Sequence, residues 1–231
     1  MKYYILISLS FINKLWLRTF NHCNLKISGL FFKVKINSNK HNLIRINNSE
    51  VIHSEFTMEG DGNEIIGYNI FIKNSSLSIK GKNNQIIFGD GVKLREGNLI
   101  IRGNNCKILI GNRSTFGGVR MVNVGANNVI SIGKDCLFSD NIEIWASDTH
   151  AIYDENQNWI NHEQPIYIED NVWVGSKVTV LKGVSIGSGS IIGMCSVVTK
   201  NISPNMVCAG MPIRILKENI SWKLEYPTDK M

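Results

Sequence analysis

Between Ile168 and Ser203 the chain divides into six consecutive hexapeptides, IEDNVW, VGSKVT, VLKGVS, IGSGSI, IGMCSV and VTKNIS, each opening on Ile or Val. A period of six fits neither an amphipathic helix nor a simple alternating strand. It fits a chain that turns a corner after each short strand and points one branched aliphatic side chain inward per rung, which is a parallel β-helix. The rung positions Ile168, Val174, Val180, Ile186, Ile192 and Val198 are all β-branched, as a buried strand prefers. Corner positions such as Asn171, Gly183 and Gly189 suit the positive φ that a tight turn demands.

A second repetition lies upstream. GKNNQIIFG starts at Gly81, GNNCKILIG at Gly103 and GANNVISIG at Gly125, 22 residues apart, with a weaker copy, GDGNEIIG, at Gly60. Each copy reads as a Gly/Asn turn feeding a short strand of alternating aliphatics. Residues 36–203 are therefore expected to form one all-β solenoid, preceded by an apolar and basic segment, 1–35, and followed by a tail, 204–231. Extended backward, the hexapeptide frame accepts Ile144, Phe138 and Ile132 but would bury His150, Asn156 and His162. Unpaired polar rungs are too costly to bury, so residues 150–167 are expected to leave the coil as a loop, and an irregular loop this long usually serves function.

Beyond the solenoid, Ile213, Leu216, Ile220 and Leu224 recur at helical spacing after Pro212. This predicts a C-terminal helix capping the open end. The five cysteines are odd in number, scattered and without a CxxC pair, which suggests neither a disulfide framework nor a zinc knuckle and suits a reducing, cytoplasmic compartment. The apolar run Tyr3–Ile12 is too short to cross a bilayer. Residues 1–58 carry eight Lys/Arg against two Glu, so the net charge of +6 is wholly N-terminal. That excess fits a solvated face, an anionic polysaccharide, or peripheral attachment at the inner face of a membrane. Nucleic acid fits poorly, because Phe31 and Phe32 sit in an apolar run and do not alternate with the basic residues.

The stretch SDTHAIYDENQNWINHEQPIYIEDNVWVGSKVTVLKGVSIG, continued to about residue 222, resembles the hexapeptide-repeat acyltransferases, left-handed parallel β-helix enzymes that transfer acetyl groups from acetyl-CoA. It is most similar to the galactoside and maltose acetyltransferase branch and to O-acetyltransferases of capsular polysaccharide, sialic acid polymers included. The resemblance implies a homotrimer with active sites between neighbouring prisms, acetyl-CoA as co-substrate, no metal, and a glycan acceptor. It also implies His150 as the catalytic base: neutral imidazole, which ordinarily titrates near ~6.5, suits removal of a proton from an attacking hydroxyl. Asp148 is a candidate to orient that imidazole, with Glu143, Asp154 or a backbone carbonyl as alternatives. Trp159 and His162 either line the acceptor side or pack the loop. For the coenzyme, the resemblance points to Trp173, Gly175 and Ser176 near the thioester and pantetheine, and to Thr199, Lys200, Arg214 and Lys217 near the phosphates. Met194 stands where close relatives often carry a small residue.

No Ser or Cys is placed beside a second base as a nucleophile, so direct attack is expected over a covalent acyl-enzyme. Two other readings remain open on the sequence: an N-acetyltransferase acting on an amino sugar, and a non-catalytic glycan-binding solenoid. A metal-dependent hydrase would require three facing histidines, and the loop supplies two, His150 and His162.

Overall fold

The computed structural model describes residues 24–225, and among them the chain forms strands and turns without a helix. Three parallel sheets make the faces of a continuous solenoid. Sheet A stacks 24–27, 43–47, Glu64–Tyr68, Gln85–Phe88, Lys107–Ile110, Val129–Ile132, Ile166–Ile168 and Ser185–Ile186. Sheet B stacks 29–32, 50–52, Phe71–Lys73, 93–94, 115–116, Leu137–Phe138, Trp173–Val174, Ile191–Ile192 and Val207–Ala209. Sheet C stacks Lys35–Asn37, Glu55–Glu59, Ser76–Lys82, 98–104, 118–126, Ile142–Trp145, Thr179–Leu181 and Val197–Val198.

The core follows from register. Ile44, Ile65, Ile86, Ile108, Ile130 and Ile166 lie one above another in sheet A, and all are fully buried. Sheet B contributes Phe116 and Phe138, stacked with ring centroids 4.6 Å apart, then Val174 and Ile192. Sheet C contributes Leu77, Leu99, Met121, Ile144, Val180 and Val198. Burying each such side chain stabilises by about 1.5–3 kcal/mol relative to leaving it exposed, and the three columns together form the core.

Polar columns do comparable work at the corners. Asn63 and Asn84 are wholly buried; the Asn84 backbone N–H donates to Asn63 Oδ1 at 3.0 Å, and its Nδ2 donates to the Gly103 carbonyl at 2.8 Å. The next coil repeats the pattern when the Cys106 N–H donates to Asn84 Oδ1 at 2.9 Å. Glycine is obligatory beside this ladder: Gly103 has φ +145°, and a Cβ there would lie 1.7 Å from the Gly125 carbonyl oxygen.

Two sequence expectations need correction. The coil starts no later than Asn24, and Ile27, Phe31 and Val34 are buried in it, so the boundary at 35/36 falls inside the solenoid. The C-terminal capping helix is not formed. Arg214–Lys217 is a strand, antiparallel to Val207–Ala209 in sheet B. The physical reason is the open edge of the last coil, whose unpaired backbone groups a strand can satisfy and a helix cannot. Ile213 alone of the four apolar residues is fully buried, whereas Ile215 and Leu216 are exposed. The apolar run Tyr3–Ile12 lies outside the described residues.

Replacing Asn84 by Ala strands the Cys106 N–H and the Gly103 carbonyl in the interior. At about 1–3 kcal/mol per buried unsatisfied group, the variant should lose about 2–6 kcal/mol in denaturant unfolding, with the parallel-strand signature retained.

Candidate active site

Among the described residues the coil is interrupted once. After Ile142–Trp145 in sheet C the chain leaves the corner at Ser147 and rejoins sheet A at Ile166. Within this loop the segment 153–159 closes on itself: Tyr153 and Trp159 form an antiparallel bridge. The Asp154 carboxylate accepts from the backbone of Asn156 and Asn158 and from Asn158 Nδ2, and these bonds hold its carboxyl below the usual carboxylate range.

Both legs of the loop are tied to the coil beneath by one side chain. Lys182, at the corresponding corner of the next coil, donates through Nζ to Asp148 Oδ2 at 2.6 Å, to the Asn161 carbonyl at 2.9 Å and to the His162 carbonyl at 3.0 Å. An ammonium offers three protons, and all three find acceptors. The Lys182 side chain is only 19% exposed, so this pair is better shielded than an ordinary surface salt bridge. Asn161 closes the arrangement: its Nδ2 donates to Asp148 Oδ2 and to the His150 carbonyl, both at 2.8 Å. Its Oδ1 accepts from the Ile152 N–H and from Trp159 Nε1. From the coil above, Glu163 Oε1 accepts the Ala126 N–H at 2.8 Å and seats its carboxylate over Gly125, where a Cβ would fall 2.2 Å from that oxygen.

His150 is exposed at the mouth of this frame, its backbone held by Asn161. Thr149, immediately before it, adopts φ +63°, a left-handed conformation that a β-branched residue resists at a cost of about 1–3 kcal/mol. The Ser147 hydroxyl accepts the Thr149 N–H at 3.0 Å and helps to hold that turn. Asp148 ties the loop together: its Oδ2 is engaged by Lys182 and Asn161. Lys182 and then Asn161 hold the Asp148 carboxyl below the usual range against the desolvation that raises it. Glu143 is likewise committed elsewhere, accepting Trp145 Nε1 at 2.7 Å. His162 packs on Trp159 with ring centroids 4.0 Å apart.

The residues assigned to the coenzyme by resemblance fall into separate groups. Gly175, Ser176 and Met194 share the corner between sheets B and C, where Gly175 lies so close to the next turn that a Cβ would sit 2.8 Å from Met194 N. Met194 is 65% exposed there. Thr199 and Lys200 stand past the other end of sheet C, and Arg214 and Lys217 bound the added antiparallel strand. Trp173 points out from sheet B against Trp222 of the returning tail, with ring centroids 5.8 Å apart, while Trp222 Nε1 donates to the Asn171 carbonyl. Lys182 and Asn161 escaped the sequence reading. Among the described residues no cluster of His, Cys, Asp and Glu could hold a metal.

Lys182→Ala should accelerate backbone amide exchange across residues 147–165 by tenfold or more while the exchange of sheet A and sheet B strands stays unchanged. Acid should act similarly. Because the folded Asp148 pKa is depressed, its contribution is full above the unfolded value of ~3.9 and is lost only as the pH falls through the lower folded value. Loop protection that already disappears between pH 6 and 5, set against that ~3.9, would contradict the ion pair as its anchor.

Residues 165–200 match the family model described as bacterial transferase hexapeptide (six repeats). The polysialic acid O-acetyltransferase of Neisseria meningitidis is 35% identical over 146 residues, 62% of this chain and 67% of that protein. The galactoside O-acetyltransferase of Escherichia coli K12 is 38% identical over 89 residues, and the match spans 38% of this chain and 44% of that enzyme, less than half its length. Among solved structures, the polysialic acid O-acetyltransferase OatWY superposes with a TM-score of 0.71 at 30% identity, covering 90% of this chain and 95% of that one. The polysialic-acid-specific acetyltransferase NeuO gives the same TM-score at 29% identity, over 90% of this chain and 84% of that one. Repeat, coil and long-range likeness agree, and the chain belongs to the hexapeptide-repeat acetyltransferase family.

Proposed function

We propose that this protein transfers the acetyl group of acetyl-CoA to a hydroxyl of a bacterial surface polysaccharide, with His150 as the general base. The observation that carries this reading is the likeness to polysialic acid O-acetyltransferases over nine-tenths of the chain, joined to an exposed histidine that the fold takes trouble to hold. In this mechanism the acceptor oxygen attacks the thioester carbonyl carbon while the His150 imidazole takes its proton. The C–O bond forms, the C–S bond breaks, and the imidazolium returns the proton to the departing thiolate. The Gly175 N–H is spent on the Ile192 carbonyl at 2.8 Å, so the Ser176 N–H is the backbone donor at that turn suited to the developing oxyanion.

Direct transfer fits the cysteines. Burial pushes the Cys136 thiol up to about 11 and also raises Cys106 and Cys208, so none of these three supplies thiolate near neutrality. Lys182, Asp148 and Asn161 position the base without touching substrate. Thr199, Lys200, Arg214 and Lys217 offer cationic and hydroxyl donors to the coenzyme phosphates. In the same proposal the active unit is a homotrimer, in which the separated coenzyme residues of one subunit face the loop of the next.

His150→Ala should leave acetyl-CoA binding intact in calorimetry and lower acetyl transfer by about 10²–10⁴, the usual worth of a general base. Near-wild-type turnover in that variant removes the mechanism. Lys182→Ala should lower turnover by about 10-fold to 10²-fold with a smaller change in KM, because a misplaced base costs rate more than affinity. Sedimentation at equilibrium should give three times the chain mass of 26.0 kDa.

A further inference from the structure

One outward column of sheet C runs in unbroken register from Lys35 to Glu55, Ser76, Asn98, Arg120 and Glu143. With ~4.8 Å between strands it is roughly 24 Å long. Three cavities of about 670, 300 and 270 Å³ open along its edge and run into one another, since the first and last share Asn74, Gly97 and Asn98 while the second touches Asn74 and Glu96. Together they form a shallow trench at the corner between sheets B and C. Gly97 and Gly118 are buried at this corner, and a Cβ on Gly97 would point inward and strike the core side chain of Leu94 at 2.5 Å.

The lining has a definite chemistry. Lys35, Lys73, Arg95 and Arg120 take no part in the ion pairs formed among the described residues, and Arg120 Nε is buried with no hydrogen-bond partner. Between these cations stand the amides of Asn74 and Asn98, the Ser76 hydroxyl and three carboxylates, Glu55, Glu96 and Glu143; with Lys33 the cations of the lining outnumber the acids five to three. Phe71 is the one aromatic residue along the walls, which leaves no series of stacking platforms for nucleic acid bases. The lower end meets the root of the loop: the Arg120 guanidinium lies 4.9 Å from the centre of the Trp145 ring, whose Nε1 donates to Glu143.

We infer that this trench binds an extended anionic oligosaccharide along the solenoid axis, with carboxylates on the cations and sugar hydroxyls on the Asn and Ser side chains, and delivers it toward the loop. This rests on the acceptor class proposed above and adds where the rest of the chain lies while one unit reacts.

The test is equilibrium binding of size-graded sialic acid oligomers, neutral dextran oligomers and a single-stranded oligonucleotide, without coenzyme, to the full chain. Affinity for the sialic acid series should rise with length by at least tenfold and then level off. Asn98→Trp, an exposed change in the middle of the trench, should abolish that rise while leaving affinity for the monomer as it was. Lys35→Glu, at the far end, should weaken only the longest oligomers. A flat length series, an Asn98→Trp variant that binds like wild type, or tighter binding of dextran or the oligonucleotide would each overturn the inference. Calorimetry with acetyl-CoA separates the two readings: coenzyme binding with a flat length series defeats the trench alone, and length-dependent glycan binding without coenzyme affinity defeats the transferase reading alone.

Discussion

Parallel strands stacked at one hydrogen-bonding distance oblige each side chain to sit over its counterpart in the coil before, and this register governs everything else in the molecule. A column must be chemically tolerable to itself. Aliphatic columns satisfy that condition by packing, as the six sheet A isoleucines do. Buried asparagine satisfies it differently, because an amide both donates and accepts and can hand a hydrogen bond down to the next coil. Glycine columns satisfy it by absence, letting one carbonyl occupy the place of a missing Cβ.

Register also explains why the catalytic candidate sits where it does. Successive sheet A rungs fall 21 residues apart between Ile65 and Ile86 but 18 apart between Ile168 and Ile186, and the change of coil length happens across the loop. The wide N-terminal coils support long stretches of sheet C, such as 118–126, whereas the narrow ones hold strands of two or three residues. The loop leaves from that junction, so Glu163 of the loop reaches a wide coil above, and Lys182 of the narrow coil below reaches the loop. A histidine on a free loop would sample many positions. Here its carbonyl, the preceding strained turn and both loop legs are fixed from two sides.

How much of this could be read in advance depends on whether a feature repeats at a constant interval. The rungs from Ile168 to Val198 recur every six residues and all are buried. The loop was legible because His150 and His162 broke that frame. The C-terminal segment misled for an equally physical reason: Ile213, Leu216, Ile220 and Leu224 have helical spacing, but the final coil presented an unpaired strand edge, and tertiary pairing overrode the local pattern. Lys182 gave no signal, since the same place in other hexapeptides holds Asp170, Ser176, Ser188, Met194 and Lys200, and its acceptors lie 20 to 34 residues earlier. The sheet C column was hidden because its steps are 20, 21, 22, 22 and 23 residues, so no single period reveals it.

That column and the loop meet at one strand. Ile142–Trp145 carries Glu143 and Trp145 outward, receives the Arg120 guanidinium on its indole, and five residues beyond Trp145 presents His150. The buried, unpartnered Nε of Arg120 is a polar atom that folding leaves unpaid, worth about 1–3 kcal/mol to whatever acceptor reaches it. The long polar face and the strand that leads into the His150 loop are thus joined by a single side-chain stack, Arg120 on Trp145.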